Sequence, residues 1–302
     1  MWRKEQEEDD DHLVIGSSQG FVIGYDAKNI ESVDFSCTLR YAYPAHEKSI
    51  RCIAGSYPTV ATASADESIK VYQLDQLQEL ETLYEYDAPV FAVDMLPQVG
   101  LLSGGEDGQV LYYRYGQWSK PKRWKGHVRS VHSVSLHPSG KIGLTVARDK
   151  SLKLWKTNGE CVTSLELGEE AFTVQWIQDG SGWLIATQNS FSVHSLQNGL
   201  VQEWKYPTRL VCICALSDSI FVVGGMDGYV RLYKIGENKP IQTYQVEGGC
   251  FVKGVGVGKQ GFIYSLTSKG VIQARNMQGV YKWIEQVPTS YRPTAFHVAT
   301  KS

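Results

Sequence analysis

The sequence lacks a strong charge of either sign, a long apolar run and a leader-like N-terminus. Lysine and arginine number 30 against 32 aspartate and glutamate residues, so the formal net charge is only −2. This balance excludes a chain that binds nucleic acid or membranes through its overall charge. No apolar run reaches the ~18 residues of a membrane span, and the N-terminus MWRKEQEEDDD is too charged for a signal peptide. We therefore expect a soluble intracellular protein.

Residue patterns typical of metal, cofactor or catalytic sites are also missing. The six cysteines form no CxxC pair, and we interpret them as apolar residues in a reducing compartment. The seven histidines do not occur at metal-ligand spacing, and no GxSxG motif is present. Gly256, Gly258 and Gly261 match GxGxxG, but they fall between two predicted strands, which indicates a hairpin turn. We predict no enzyme activity, no cofactor, no metal and no small-molecule substrate.

The sequence does contain a repeat of short alternating apolar strands separated by turns. One residue, at the end of the third strand of each repeat, recurs at intervals of 39 to 47 residues. A period of about 40 to 45 residues with several strands per unit predicts an all-β propeller, and seven such positions predict seven blades. The seven positions are Tyr25, Tyr72, Tyr113, Trp155, His194, Tyr233 and Ala274.

The clearest repeat is KGHVRSVHSVSLHPSGKIGLTVARDKSLKLW at 125–155. A Gly-His pair opens it, His-Pro-Ser-Gly marks a turn, and Asp followed by Trp closes it, which is the WD-repeat signature of a propeller blade. A buried aspartate requires hydrogen-bond donors, and histidine, threonine and tryptophan side chains supply them. The positions that resemble the WD-repeat hydrogen-bond chain are His127, Thr145, Asp149 and Trp155 in this repeat, and His46, Thr62, Asp66 and Tyr72 in the second.

The two ends of the sequence differ in character. Residues 1–11 are polar and end in an acidic run, so we interpret them as a disordered tail rather than an acidic docking arm. Residues 12–302 are expected to form one propeller, because each blade buries its faces only against its neighbours. The first blade lacks a first strand, whereas PTAFHVA at 293–299 alternates like a strand and has no blade. We predict that 293–299 pairs into the first blade and closes the ring.

Basic residues cluster where the third repeat meets the fourth, and two more precede the third strand of the fourth. A contact for RNA phosphate or an acidic partner explains this cluster, and so does a solvated outer strand. Glu106 and Met226, in turns before the aspartate position, are further contact candidates, although burial of Met226 explains its position equally well. The candidate partner-binding residues of the cluster are Lys120, Lys122, Arg123, Trp124, Lys125, Arg129, Arg148 and Lys150.

Four segments resemble one WD-repeat family, the ribosome-assembly propellers first named for maintenance of killer, whose animal members are called PAK-interacting proteins. The segments are IGSSQGFVIGYD, AHEKSIRCIAGSYPTVATASADESIKVY, LLSGGEDGQVLYYRYGQW and the repeat at 126–155. The resemblance implies a non-enzymatic scaffold of the nucleus and nucleolus that acts in large ribosomal subunit biogenesis and rRNA maturation. Its implied partners are pre-60S assembly factors or ribosomal proteins, with rRNA contacted directly or indirectly.

A second function stays open within the same resemblance. Animal members are linked to restraint of a Rho-effector kinase, which implies a cytoplasmic signalling adaptor that binds a p21-activated-type kinase or a small-GTPase pathway component. Family members often end in a Lys-rich tail, whereas this sequence ends at Ser302 after Lys301. We therefore expect the chain to enter the nucleolus either by itself or carried by a partner.

Overall fold

The computed structural model describes residues 11–28, 36–124 and 126–300 of the chain. These residues form seven antiparallel sheets of four strands each, arranged as the blades of a ring. The prediction of an all-β, seven-bladed propeller is therefore confirmed. A single 3-10 helix accompanies the strands, and nothing helical in the described ranges is long and apolar enough to cross a membrane.

The strands of the first four blades follow the chain, except that the innermost strand of blade one comes from the other end. Blade one contains β1 (Asp11–Ser17), β2 (Phe21–Lys28) and β3 (Ser36–Pro44). Blade two contains β4 (Ile50–Ser56), β5 (Thr59–Ser64), β6 (Ile69–Gln73) and β7 (Gln78–Leu83). Blade three contains β8 (Val90–Leu96), β9 (Gly100–Gly105), β10 (Val110–Arg114) and β11 (Gln117–Trp124). Blade four contains β12 (Val131–Leu136), β13 (Ile142–Ala147), β14 (Ser151–Lys156) and β15 (Cys161–Glu166).

The last three blades complete the ring. Blade five contains β16 (Ala171–Trp176), β17 (Gly182–Thr187), β18 (Ser190–Ser195) and β19 (Gly199–Lys205). Blade six contains β20 (Leu210–Ala215), β21 (Ile220–Gly225), β22 (Tyr229–Lys234) and β23 (Gln242–Gln245). Blade seven contains β24 (Val252–Val257), the 3-10 helix (Lys259–Gly261), β25 (Ile263–Thr267), β26 (Val271–Arg275) and β27 (Tyr281–Gln286). The final strand, β28 (Pro293–Ala299), belongs to blade one.

The core lies between the blades, because both faces of each sheet are covered by a neighbour. The seven positions that mark the repeat all lie in third strands, and six of them are buried. His194, the exception, is half-buried and stacks on Trp183 with the ring centres 5.6 Å apart. One apolar cluster joins Leu13 and Ile15 of blade one to Tyr264 of blade seven, so the first and last blades pack together like any other pair.

Each blade places equivalent connections at the same end of the ring. First strands begin at the end where second strands stop and third strands start, as the pairing of Ile50 with Ser64 and of Ala63 with Ile69 shows for blade two. We call this end the upper face, and the opposite end the lower face. The upper face carries the loops between blades and the turns at 18–20, 65–68, 106–109, 148–150, 188–189, 226–228 and 268–270.

The C-terminal strand closes the ring as predicted. β28 pairs antiparallel with β1, from His12 opposite Ala299 to Ser17 opposite Pro293. Side chains of β28 also reach blade two, since His297 Nε2 lies 2.8 Å from the carbonyl oxygen of Gly55. Blade one thus takes its innermost strand from the far end of the chain, and no first strand of the described ring is left without a neighbour.

The predicted tail boundary is wrong by one residue. Asp11 belongs to β1 and is fully buried, with Tyr264 donating to Asp11 Oδ2 at 2.8 Å and the backbone N–H of Lys259 donating to Asp11 Oδ1 at the same distance. These two hydrogen bonds tie the start of blade one to blade seven. Residues 1–10, the rest of the predicted tail, lie outside the described residues.

The GxGxxG segment connects the first two strands of blade seven, as expected, but it contains one short helical turn. Gly256 lies in β24, and the 3-10 helix begins directly after Gly258. This helix has only three residues, and the N–H of Lys259 at its start donates to Asp11. The arrangement therefore does not offer the helix N-terminus on which a dinucleotide phosphate rests.

Deletion of residues 293–302 tests the closing strand. We expect the free energy of unfolding to fall by at least ~3 kcal/mol, because several ladder hydrogen bonds at about 1 kcal/mol each disappear and Leu13 and Ile15 become exposed. Urea unfolding measures the change. Deletion of residues 301–302 alone is the matched control and should leave the midpoint in place. An unchanged midpoint in the longer deletion would contradict the closure.

Candidate functional site

In blade four, a chain of hydrogen bonds fixes the loop that enters the blade. Trp155 Nε1 donates to Thr145 Oγ1 at 2.9 Å, and Thr145 Oγ1 lies 2.7 Å from His127 Nε2. His127 Nδ1 lies 3.1 Å from Asp149 Oδ2. Ser151 Oγ donates to the other carboxylate oxygen at 2.6 Å. The chain is complete when Nδ1 of the histidine carries the proton and Nε2 accepts from threonine.

Blade two repeats this arrangement with one change. His46 Nε2 lies 2.7 Å from Thr62 Oγ1, and His46 Nδ1 lies 3.0 Å from Asp66 Oδ2. Ser68 Oγ donates to Asp66 at 2.6 Å, as Ser151 does in blade four. Tyr72 occupies the tryptophan position, where its hydroxyl is buried and makes no hydrogen bond within the described part of the chain. The structure thus brings together His46, Thr62 and Asp66, with Tyr72 packed beside them.

Burial and hydrogen bonding set the charges in these two blades. Burial lowers the pKa of His127 below its usual 6.5 and outweighs the opposite effect of Asp149. Burial opposes ionisation of Asp149, but hydrogen bonds, led by that of Ser151, outweigh it and lower the pKa of this carboxyl. The same directions hold for the pKa values of His46 and Asp66. A neutral histidine therefore faces a charged aspartate at neutral pH, which is the state the hydrogen-bond chain requires.

Other blades replace the histidine. In blade three, the hydroxyl of Tyr86 lies 2.9 Å from Ser103 Oγ, and Asp107 is exposed. In blade six, Arg231 Nη2 donates to Asp227 at 2.6 Å. The scaffold role of the aspartate position is therefore local to certain blades, and the loops of the others are free to carry different side chains.

The first strand of every blade carries a β-bulge at its second residue. In blade two, Ile50 and Cys52 pair with the consecutive residues Ser64 and Ala63, which leaves the residue between them unpaired. The same register shift occurs in the other six blades. A bulge turns one side chain away from the direction that strand alternation would give it. The seven bulged residues are Arg51, Phe91, His132, Phe172, Val211, Lys253 and Thr294.

These seven residues, which we call the mouth ring, surround the upper end of the central channel. Six of them line one channel cavity of about 470 Å³. The ring contains three basic side chains, Arg51, His132 and Lys253, and no carboxylate. The Arg51 guanidinium lies 5.4 Å from the centre of the Phe91 ring. Asp94, deeper in the channel, accepts two backbone N–H groups at 2.7 and 2.9 Å. The mouth therefore combines positive charge with aromatic surface.

A second cavity, of about 630 Å³, opens on the upper face between blades four and seven. Met226 is 49% exposed on its wall, beside Phe251. The backbone of this wall is held in place, since Met226 N–H donates to the carbonyl of Arg209 at 2.9 Å and Ser268 N–H donates to that of Phe251 at 3.0 Å. The cavity is continuous with the channel mouth, because it shares the mouth-ring residues His132, Phe172, Val211 and Lys253.

The basic cluster predicted from the sequence does not form one surface. Lys122 Nζ donates at 3.3 Å to the carbonyl of Thr157, in the lower-face turn after β14. Arg148 and Lys150 lie in the upper-face turn before β14, so the length of that strand separates the two groups. The interpretation of the cluster as a single patch is therefore wrong. Lys125 lies outside the described residues.

Two members of the cluster are engaged within the fold. Trp124 is 1% exposed and stacks on Tyr112 and Trp155, with ring centres 5.8 and 5.4 Å away, so its prediction as a contact residue is wrong. Arg123 Nη2 donates to Glu85 Oε2 at 2.7 Å. The other described members of the cluster are exposed, with Lys120 and Lys122 on the outer strand of blade three and Arg129, Arg148 and Lys150 on the upper face.

The two turn candidates are both exposed on the upper face, so burial, the alternative for Met226, is wrong. Glu106 belongs to blade three and does not line the cavity beside Met226, whereas Lys150 does. Sequence reasoning missed Arg209, Phe251 and Lys253. The signal available was positional, since Lys253 follows the first buried residue of its strand as every other mouth-ring residue does.

The cysteines and acidic residues of the described ranges form no other site. No group of three or more His, Cys, Asp or Glu side chains there is placed to hold a metal ion. All six cysteines lie within these ranges and none is in a disulfide. Burial raises the pKa of the Cys214 thiol to about 11 and that of Cys212 still further, so both thiols stay protonated and pack as apolar groups.

The fold is that of a seven-bladed β-propeller with WD-type repeats in blades two and four. A family model described as WD domain, G-beta repeat, matches residues 35–73 and 118–156, which fall on blades two and four and the strands that precede each. These are the two blades with the complete histidine–threonine–aspartate arrangement.

Known proteins similar to this chain include members of the family expected from the sequence, and that resemblance is confirmed. The chain is 28% identical over 237 residues to the p21-activated protein kinase-interacting protein 1-like of Danio rerio, covering 77% of this chain and 64% of the relative. It is 28% identical over 166 residues to Protein MAK11 of Saccharomyces cerevisiae, covering 44% and 40%. It is 27% identical over 198 residues to the human p21-activated protein kinase-interacting protein 1, covering 64% and 50%. The chain thus spans less than two thirds of the length of these relatives.

Asp149→Ala tests the hydrogen-bond chain of blade four. We expect the free energy of unfolding to fall by about 1–3 kcal/mol, because the donors of His127 and Ser151 lose a buried acceptor. Thermal and urea unfolding measure the loss. Asp107→Ala is the matched control, since that aspartate is exposed, and it should cost less than ~1 kcal/mol. Equal melting temperatures for Asp149→Ala and the parent protein would contradict a stabilising role of these hydrogen bonds.

Proposed function

We propose that this chain is a non-enzymatic scaffold in the assembly of the large ribosomal subunit and the maturation of its rRNA. It acts in the nucleus and nucleolus through contacts with pre-60S assembly factors or ribosomal proteins. The observation that carries the proposal is the similarity to Protein MAK11, at 28% identity over 166 residues, within a family whose resemblance implies this role. The relatives reported above are named for proteins they bind or by a plain protein name, and none is named as an enzyme.

The geometry supports a role in binding. The closed ring holds seven first strands around the channel, and their bulges display seven side chains at fixed positions on one rim. A surface that is already ordered loses little conformational entropy when a partner binds, which favours affinity. The adjoining cavity of about 630 Å³ has the size of a pocket that takes bulky side chains. A rigid rim with a pocket beside it is suited to hold one partner in a defined orientation.

A second candidate function is a signalling adaptor that binds a p21-activated-type kinase or a small-GTPase pathway component in the cytoplasm. The relatives' names favour it, since they include p21-activated protein kinase-interacting protein 1 and Shk1 kinase-binding protein 15 of Schizosaccharomyces pombe. The same upper face would serve this function, because a propeller scaffold binds a kinase and an assembly factor by the same kinds of contact. The two candidates therefore differ in partner and compartment rather than in the binding surface.

Affinity purification of the tagged chain from cells, with mass spectrometry and rRNA detection, distinguishes the two candidate functions. We expect large-subunit proteins, assembly factors and precursor rRNA, because the resemblance implies a pre-ribosomal scaffold. A kinase or GTPase regulator without precursor rRNA would contradict the ribosomal function and support the adaptor. Imaging of the tagged chain gives the compartment independently, with nucleolar signal expected for the first function.

The outer strand of blade three provides the second arm of this experiment. Lys122→Glu combined with Arg123→Glu should leave the fold intact, since both side chains are exposed, and should weaken partner recovery if the strand is a contact. Arg123 contributes an exposed ion pair with Glu85, so its loss costs at most ~1 kcal/mol. Full recovery of every partner at physiological salt would identify these residues as a solvated strand.

A further inference from the structure

The cavity of about 630 Å³ between blades four and seven is an open recess on the described upper face. Its apolar wall is built by Phe172, Leu210, Met226 and Phe251. An exposed methionine beside two phenylalanines is an adaptable surface that accommodates bulky apolar side chains. Backbone hydrogen bonds of Met226 and Phe251 to neighbouring loops hold this wall in place. The shape and polarity therefore suit an inserted apolar or aromatic side chain.

Two cations at the rim of this cavity have no ion-pair partner among the residues that the structure describes. Neither Arg209 nor Lys253 makes a side-chain hydrogen bond or ion pair with a described residue, whereas Arg123 and Arg231 each contact a carboxylate. Lys150, a third cation of the rim, donates to the carbonyl of Gly168 at 3.3 Å and makes no ion pair within the described ranges. Acidic groups of a partner could therefore pair with one guanidinium group, that of Arg209, and with the ammonium groups of Lys253 and Lys150.

The acidic residues of the same rim limit which kind of ligand the cavity can bind. Glu170 lies 3.4 Å from His132 Nε2 and 3.8 Å from Arg148 Nε, so its charge is already compensated. Glu169 is exposed and faces the same opening. A continuous phosphate backbone would meet these carboxylates along its path, whereas a peptide places its charges at separate positions and avoids them. The combination favours an acidic peptide over RNA.

We propose that this cavity and the adjoining mouth ring dock an acidic segment of a partner protein that carries a bulky apolar residue. The apolar side chain inserts against Phe172, Met226 and Phe251, and the flanking carboxylates pair with Arg209 and Lys253. The second of these cations belongs to the mouth ring, and Arg51, two blades further around, extends the positive rim towards the channel. This inference rests on the proposed function only in that the chain acts through protein contacts.

Binding of synthetic peptides to the purified full chain, measured by fluorescence anisotropy, tests the proposal. The probe is a labelled peptide in which glutamates flank one central phenylalanine. The comparison peptides replace that phenylalanine with alanine, or the glutamates with lysines, and a labelled single-stranded RNA provides the nucleic-acid arm. We expect the acidic phenylalanine peptide to bind most tightly, with an affinity that falls as salt is raised, because exposed charge pairs are screened.

Matched variants assign the binding to the cavity. Arg209→Glu combined with Lys253→Glu should weaken binding at least ~tenfold, and Met226→Asp by about as much, because each introduces repulsion where the probe is acidic. Lys141→Glu combined with Lys239→Glu makes the same change of net charge in lower-face turns and should leave binding unaltered. Thermal unfolding of each variant checks that the fold is retained.

Either of two results of the binding measurements would overturn the proposal. One is equal loss of peptide affinity in the upper-face and lower-face variants, since this would reflect overall charge rather than a site. The other is preferential binding of the RNA or of the lysine peptide by the parent chain. Recovery of pre-ribosomal partners by a folded Arg209→Glu, Lys253→Glu variant would reject the docking site but leave the scaffold function standing. Binding of the peptide in vitro without recovery of such partners from cells would reject the ribosomal function but leave the docking site standing.

Discussion

Closure of the ring by β28 is the constraint on which the rest of this structure depends. Blade one has no first strand of its own in sequence order, so the ring exists only because residues 293–299 return to β1. The closure also completes the upper rim. Thr294, the second residue of β28, lies between Lys253 of blade seven and Arg51 of blade two in the mouth ring, and its hydroxyl donates to the carbonyl of Ile50 at 2.6 Å. The surface proposed for binding is therefore continuous only in the closed ring.

The upper loops of the blades differ in how far they are fixed by buried side chains. In blades two and four, buried histidine–aspartate pairs fix the upper loops. Exposed residues such as Val128 and Arg129 remain on the loop of blade four. Blade four contributes His132 and Lys150 to the cavity, and blades five to seven supply the rest of its lining. In these three blades other side chains replace one or both members of the histidine–aspartate pair. Asp227, for example, contacts Arg231 instead of a histidine, and the loop beside it exposes Arg209 and Met226. Blades without the hydrogen-bond chain thus supply most of the proposed recognition surface.

The fold followed from the sequence because its signals are local. Period-two alternation, tight turns and a recurring residue, aromatic in most blades, near the end of the third strand are all visible within single repeats. Closure could also be predicted, because the first blade lacks a first strand and the strand at 293–299 lacks a blade. The hydrogen-bonded residues of blades two and four could be predicted for the same reason. In a WD repeat, a residue's position in the repeat indicates which residue it contacts.

The site did not follow, because it depends on contacts distant in sequence and on a backbone irregularity. Trp124 belongs to a basic stretch, but it packs against Trp155 of the next blade. Asp11 ends an acidic run, yet its partner Tyr264 lies 253 positions away. The bulges that turn Arg51 and Lys253 towards the channel break the alternation that sequence reasoning relies on. Comparison of the second residue of all first strands would have revealed the ring, but not its neighbouring cavity.

Hydroxyl-radical footprinting of the chain, free and in its cell-derived complex, tests the central claim most directly. One exposed methionine lies on each face of the ring, so the two can be compared within the same sample. Met226 is 49% exposed on the upper face, and Met277 is 39% exposed in a lower-face turn. Thioether sulfur is readily oxidised when accessible. The account predicts that the complex protects Met226, together with Phe251, while oxidation of Met277 is unchanged. Protection of Met277 with continued oxidation of Met226 would contradict it, because the partner would then bind the opposite face of the ring.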